Sequence, residues 1–259
     1  MAILETSTKT GISWVKESVD LFKTAPRKWL SLALAYVGFV LLPSALGLQL
    51  LVFINTLILP VFLVIAMMMY RNADMKKQQD LSEIMQNIQP KIPQLIALGG
   101  ACLLYAVLMR FVIDSDIQGL AVLTQNKTTM TESQMIIFLQ KVFPFLLKFT
   151  LLLIPLMMAT WFSPMLIAYN NYNVVKALKS SVAGSLQYMV ALGVSWLLLT
   201  LGVVALMLVV GIIAGIVSGL VPVLGQMMMS FVVFGCLLLA TALMLAFQYV
   251  SYRDVFRAA

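Results

Sequence analysis

Histidine is absent from this chain. With it go the commonest general base near neutral pH and the commonest metal ligand, so most enzyme readings weaken at the start. Cysteine occurs only at Cys102 and Cys236, each inside an apolar run. The pair is no disulfide framework and reads as two buried, unreactive thiols. Charge is scarce as well: 10% of the 259 residues are charged and 62% are apolar, whereas ordinary soluble domains hold about 25% charged residues. A soluble fold has no means of hiding that much apolar surface. There is no P-loop, no Gly-rich dinucleotide fingerprint, no pair of carboxylates within an apolar segment and no nucleophile–base pairing. No cofactor and no metal are implied, and an enzyme is the least supported class. The triplets Met67–Met69 and Met227–Met229 invite copper. Adjacent helical residues diverge by about 100°, however, so three in a row make adaptable packing rather than a coordination face.

What charge there is carries information through its placement. The net formal charge is +7. Lys9, Lys16, Lys23, Arg27 and Lys28 precede the first long apolar run; Arg71, Lys76, Lys77 and Lys91 share one hydrophilic segment, Lys176 and Lys179 another, and Arg253 and Arg257 the last. These alternate with loops almost free of basic residues. That is the positive-inside pattern, and it predicts both termini in the cytoplasm. The basic balance is topology, and no nucleic-acid partner is expected. The first 28 residues contain no uninterrupted apolar core, so the expectation is a retained first span and no cleaved signal peptide.

A helix needs about 20 apolar residues to cross a hydrocarbon layer of roughly 30 Å. Residues 29–70 carry no charge and are interrupted around Pro43, Ser44 and Gly47, which predicts a tight hairpin of spans at 29–46 and 48–70. Further spans are expected at 92–113, 146–169, 187–217 and 226–250, with Pro144 separating a short outer helix from the fourth. The predicted fold is therefore all-α and integral to the membrane: six spans forming one transmembrane domain over residues 1–259. Long apolar runs exclude a β-barrel, whose strands alternate in short segments.

Each segment feeding an outgoing span is itself amphipathic. Ile12, Val15, Val19 and Phe22 recur at helical spacing within residues 1–28, as do Leu81, Ile84, Met85 and Ile88, and Val174, Val175, Leu178 and Val182. Two readings stand: three repeats of an interfacial helix plus a hairpin, or short amphipathic helices beside otherwise unrelated spans. In either case the first helix is expected to lie at the headgroup boundary. Lys16, Lys23, Arg27 and Lys28 would reach anionic lipid, Pro26 would turn the chain, and Trp14 and Trp29 would mark the interface.

The set Trp14, Leu21–Phe22, Pro26 and Trp29, together with Ser251, Tyr252, Arg253, Asp254, Val255 and Phe256, resembles a family of six-helix proteobacterial inner-membrane proteins. The resemblance spans the chain, although its specific motifs cover about a tenth of it. It implies a bacterial inner-membrane location and a role in envelope integrity, and it implies no reaction. In physical terms Tyr249, Tyr252 and Phe256 are placed to plug one end of the bundle. Arg253 and Asp254 are placed to meet the first helix, for example Arg253 with Asp20 and Asp254 with Arg27. The tail then reads either as a clasp closing the bundle or as a docking site.

Arg110, Lys127, Lys141 and Lys148 break the basic pattern near the outer boundary. They read either as snorkelling side chains, Arg110 pairing with Asp114 at i,i+4, or as an outer-leaflet site for an anionic headgroup built from Arg110, Lys141 and Lys148. Gly211, Gly215 and Gly219 form overlapping GxxxG motifs, which favour close helix packing within one bundle or between subunits. A homo-oligomer, taken as a trimer, follows from the second option. Asn55 is a candidate substrate contact or an interhelical hydrogen bond. Together these features predict a non-enzymatic protein that supports the envelope by binding or organising lipids. A transporter or channel for apolar or amphipathic compounds, or a scaffold for other envelope proteins, are the alternatives.

Overall fold

The computed structural model describes residues 2–77, 79–124 and 132–256. Lys127 and Arg257 lie outside them. Among the described residues there is no strand, and the chain is carried by ten α-helices and one 3-10 turn. In order these are α1 (Ala2–Thr24), α2 (Pro26–Ala45), α3 (Gln49–Asp74), α4 (Leu81–Ile88), α5 (Ile92–Thr124), α6 (Glu132–Trp161), α7 (Ser163–Asn170), α8 (Val174–Gln187), α9 (Met189–Leu220) and α10 (Pro222–Phe256), with the 3-10 turn at Gln89–Lys91. Six helical stretches are long and apolar enough to cross a membrane: Pro26–Ala45, Gln49–Asp74, Leu81–Ala121, Met135–Asn170, Met189–Leu220 and Met227–Phe256. The protein is an all-α, multi-pass membrane protein.

The first hairpin turns where the sequence predicts. Gly47 has φ +69°, a conformation that costs a glycine little. The Leu48 N–H donates to Pro43 O at 2.9 Å and the Gly47 N–H to Ser44 O at 3.1 Å, a Schellman stop that satisfies the last carbonyls of α2. The fourth span departs from expectation. Pro144 does not separate an outer helix; α6 runs continuously through both Pro144 and Pro155. A break inside hydrocarbon would strand backbone groups, whereas a proline within a continuous helix frees only a few, which local adjustment can satisfy. The helix breaks instead at Phe162, two residues before Pro164. There α8 and α10 supply the missing partners. The Phe162 N–H donates to Ser181 Oγ at 3.0 Å, the Ser181 hydroxyl donates to Met158 O at 2.7 Å, and Gln248 Nε2 donates to Trp161 O at 2.7 Å.

Around the bundle the spans follow the order α9, α10, α2, α3, α5, α6, with α10 also reaching α3. Among the short helices α4 packs on α3 and α8 on α6, each against the second helix of the hairpin before it, whereas α1 packs on α10 and more extensively on α9. α1 is the longest and also lies along α9, where Ser195 Oγ donates to Gly11 O at 2.9 Å. A Cβ at Gly11 would stand 2.6 Å from Ala191 O, so only glycine permits this approach.

The core sits at the end of the bundle that carries the basic segments, called here the basic end. Trp14, Trp29, Tyr70, Phe162, Phe247 and Tyr252 are all fully buried or nearly so. Trp29 stacks on Tyr70 with centroids 4.0 Å apart and donates its indole N–H to Leu21 O at 3.0 Å, while the Tyr70 hydroxyl donates to Ala242 O at 2.9 Å. This corrects the expectation that Trp14 and Trp29 mark the membrane interface. Both are 0% exposed. The buried face of α1 is Gly11, Trp14, Ser18 and Leu21 rather than the expected stripe, of which Ile12 is exposed and Val15, Val19 and Phe22 are half-buried; Lys16, Lys23, Arg27 and Lys28 are exposed.

Candidate functional site

Between the helices, α2, α3, α5, α6, α7 and α10 line a half-open apolar cavity of about 570 Å³. Leu63, Leu98, Leu156, Met157, Ala240 and Met244 supply much of its wall, and no charged residue lines it. Its threonines are turned back on their own helices. The hydroxyls of Thr56, Thr160 and Thr241 donate to Val52 O, Leu156 O and Leu237 O at 2.7–2.8 Å. With those donors engaged, the cavity suits hydrocarbon better than an ion. A second apolar cavity, of about 270 Å³, lies between α6, α8 and α9. Met157 and Trp161 line both cavities and stand between them. Asn55 donates its amide N–H to Phe39 O, so it ties α3 to α2 as an interhelical bond.

At the basic end a polar network centres on Arg253. Its guanidinium donates to Glu17 Oε2, to Asp74 Oδ2 at 3.0 Å and to Asp254 Oδ1 at 3.1 Å. Asp254 Oδ2 accepts the Trp14 indole N–H at 2.8 Å, and the Tyr249 hydroxyl donates to Asp74 Oδ2 at 2.8 Å. One cation thus joins α1, α3 and α10. Beside it Arg71 lies over the Tyr169 ring at 4.6 Å, Tyr169 stacks on Tyr252 at 5.8 Å, and Tyr252 meets Phe256 at 5.6 Å. The Tyr252 hydroxyl donates to Asn170 Oδ1 at 2.7 Å. Phe256 packs so close to Gly184 that a Cβ there would come within 2.9 Å of its ring.

No family model, curated protein or solved structure matches this chain.

The tail does meet the first helix, through partners other than those expected. Asp20 pairs with Lys23 at 3.4 Å instead of with Arg253, and Asp254 takes Trp14 where Arg27 was expected. Glu17 and Asp20 lie three residues apart on one helical face, so the face was legible and the register was not. Asp74 escaped the sequence reading altogether. Its one signal was to be a lone acid within the basic segment "RNADMKK".

At the opposite end Arg110 pairs with Asp114 at 2.9 Å, and Lys148 on α6 reaches Asp116 on α5 at 2.8 Å. Lys141 is exposed and makes no ion pair among the described residues. Two of the three expected headgroup cations therefore carry a carboxylate already, which leaves little net positive charge for an anion. Gly211, Gly215 and Gly219 have open space where their Cβ atoms would stand. Packing within one bundle, the first expectation for this ridge, is thus not its role. Close packing within the chain falls elsewhere, at Gly99, whose Cβ would stand 2.4 Å from Leu57 O.

Proposed function

We propose that the protein binds a lipid or another molecule with a long apolar chain, and that it does so in support of the bacterial cell envelope. The observation that carries this reading is the half-open cavity of about 570 Å³ between the helices, mostly apolar in its lining and free of charged lining residues. Its size falls within the roughly 300–1,000 Å³ of ordinary ligand sites. Moving a chain from bilayer to cavity gains no hydrophobic free energy, since lipid tails are as apolar as leucine. Selection would therefore rest on shape. The family resemblance supports an inner-membrane location, and the distribution of basic residues supports a cytoplasmic basic end. The carboxylates beside Arg110 and Lys148 argue for placing the bound molecule in the apolar cavity rather than at those cations.

A conduit for apolar molecules is the second reading. Its support is specific: Met157 and Trp161 alone among the lining residues separate the larger cavity from the smaller one beside α9. The test for both is native mass spectrometry of the protein purified in its own lipids, beside the variant Ala240→Phe. Ala240 lines the cavity, and a phenyl ring there would obstruct part of it. One fewer lipid per chain in Ala240→Phe than in the wild type supports the proposal. The same number in both, or none in the wild type, ends it and leaves a scaffold as the better account.

A further inference from the structure

A separate cavity, also of about 570 Å³, opens at the basic end where α2 begins, α3 ends and α4 starts. Its lining includes Lys28, Asn72, Lys77, Asp80 and Glu83, together with Met69 and Ile84. It shares no lining residue with the apolar cavity between the helices. Asn72 is only 9% exposed, and its side-chain Nδ2 is buried with no hydrogen-bond partner. A buried amide donor without an acceptor costs about 1–3 kcal/mol, and native chains seldom leave one unanswered. The same residue shapes the cavity through its backbone. Asn72 O accepts the Lys77 N–H at 2.8 Å across a Schellman stop whose left-handed position is Lys76, φ +53°. Lys77 is therefore anchored beside the unanswered donor.

The charges settle what kind of acceptor fits. Two lysines and two carboxylates line one cavity, and among the described residues no ion pair joins them. A plain anion would meet Asp80 and Glu83, and a plain cation would meet Lys28 and Lys77. A molecule carrying both signs a few bonds apart satisfies all four. We infer that this cavity binds a zwitterionic headgroup of the phosphoethanolamine kind, carried on a membrane lipid. Its phosphate oxygens accept from Asn72 Nδ2, Lys28 and Lys77, and its ammonium donates to Asp80 and Glu83. A primary ammonium has N–H groups to offer two carboxylates, whereas a quaternary one has none. The lipid carrier follows from position, because the cavity lies level with the ends of the α2–α3 hairpin and is lined in part by Met69 of the α3 span.

The test uses the full chain in detergent micelles with phosphatidylethanolamine, phosphatidylcholine and phosphatidylglycerol in equal amounts, and retained lipid is read by native mass spectrometry. The wild type is expected to retain phosphatidylethanolamine about tenfold over the other two, the scale of one charge-assisted hydrogen bond. Glu83→Gln is expected to abolish the preference over phosphatidylglycerol, and Lys28→Gln with Lys77→Gln to weaken both lipids by a similar factor. All three side chains are exposed, and unchanged melting temperatures will show that the variants fold. Equal retention of the three lipids by the wild type, or an intact preference in Glu83→Gln, overturns the proposal. Full displacement by millimolar soluble phosphoethanolamine overturns the lipid as carrier. Ala240→Phe obstructs the other cavity and is expected to leave this preference in place, so loss of preference there also counts against the site.

Discussion

The two ends of this bundle are held by different means. At the basic end, Arg253, Trp14, Asp74 and Tyr249 join three helices through polar contacts, three of them more than 170 residues apart in sequence, above a core of fully buried aromatics. At the other end the helices run out into surroundings that must be lipid. Phe111 is 77% exposed, and the most apolar windows of the spans at Met135–Asn170 and Met189–Leu220 are 0% and 6% buried within the chain. The lipid-facing end has little hydrophobic reason to close, because lipid offers its side chains the same apolar surroundings. The basic end is where burial and hydrogen bonding can fix one arrangement. Rigidity is therefore expected at one end and freedom at the other.

The largest effect should come from the aromatic core. Trp29→Ala removes a fully buried side chain, its stack on Tyr70 and its bond to Leu21 O, and is expected to cost about 3–5 kcal/mol in an unfolding titration. Next comes Arg253→Ala, which leaves three carboxylates facing one another. These groups are partly exposed, so the expected loss is about 1–3 kcal/mol, with hydrogen exchange rising in α1 before any other helix. If α1 stays as protected as before, the asymmetry between the ends has another cause. Gly215→Ala should do the reverse and stabilise the chain by up to about 1 kcal/mol, since the new methyl meets open space and the helix gains propensity. A fall in oligomer size in the same variant, read by native mass spectrometry, would identify the ridge as a contact between copies. The smallest effect is expected at the far end, where Lys148→Gln breaks a half-exposed pair with Asp116 and should shift stability by about 0.5 kcal/mol.

Six spans, the turn at Gly47 and the meeting of tail with first helix were legible because they follow from apolar run length, one glycine and the placement of charge. Register was not. Whether Arg253 finds Glu17 or Asp20 depends on how far α1 slides along α10, and no local pattern sets that distance. The tryptophans were misassigned for a related reason. An amphipathic stripe shows which side of a helix avoids water and is silent about whether lipid or protein covers it. The break at Phe162 was hidden as well, because it depends on Ser181 and Gln248 from distant helices supplying backbone partners. The cavities were invisible in the sequence, being spaces left between helices.

The bond from Trp14 to Asp254 spans 240 residues of sequence, so α1 waits for α10 to be synthesised. At about 5–20 residues per second that wait is roughly 12–48 seconds. Through that interval α1 has exposed lysines on one side and an uncovered tryptophan on the other, and the water–lipid boundary is the one surface that accommodates both. The face of α1 that ends up against α9 and α10 thus has an earlier host. The helix is a lodger of the membrane surface while the intervening chain is being made, and moves indoors when α10 arrives.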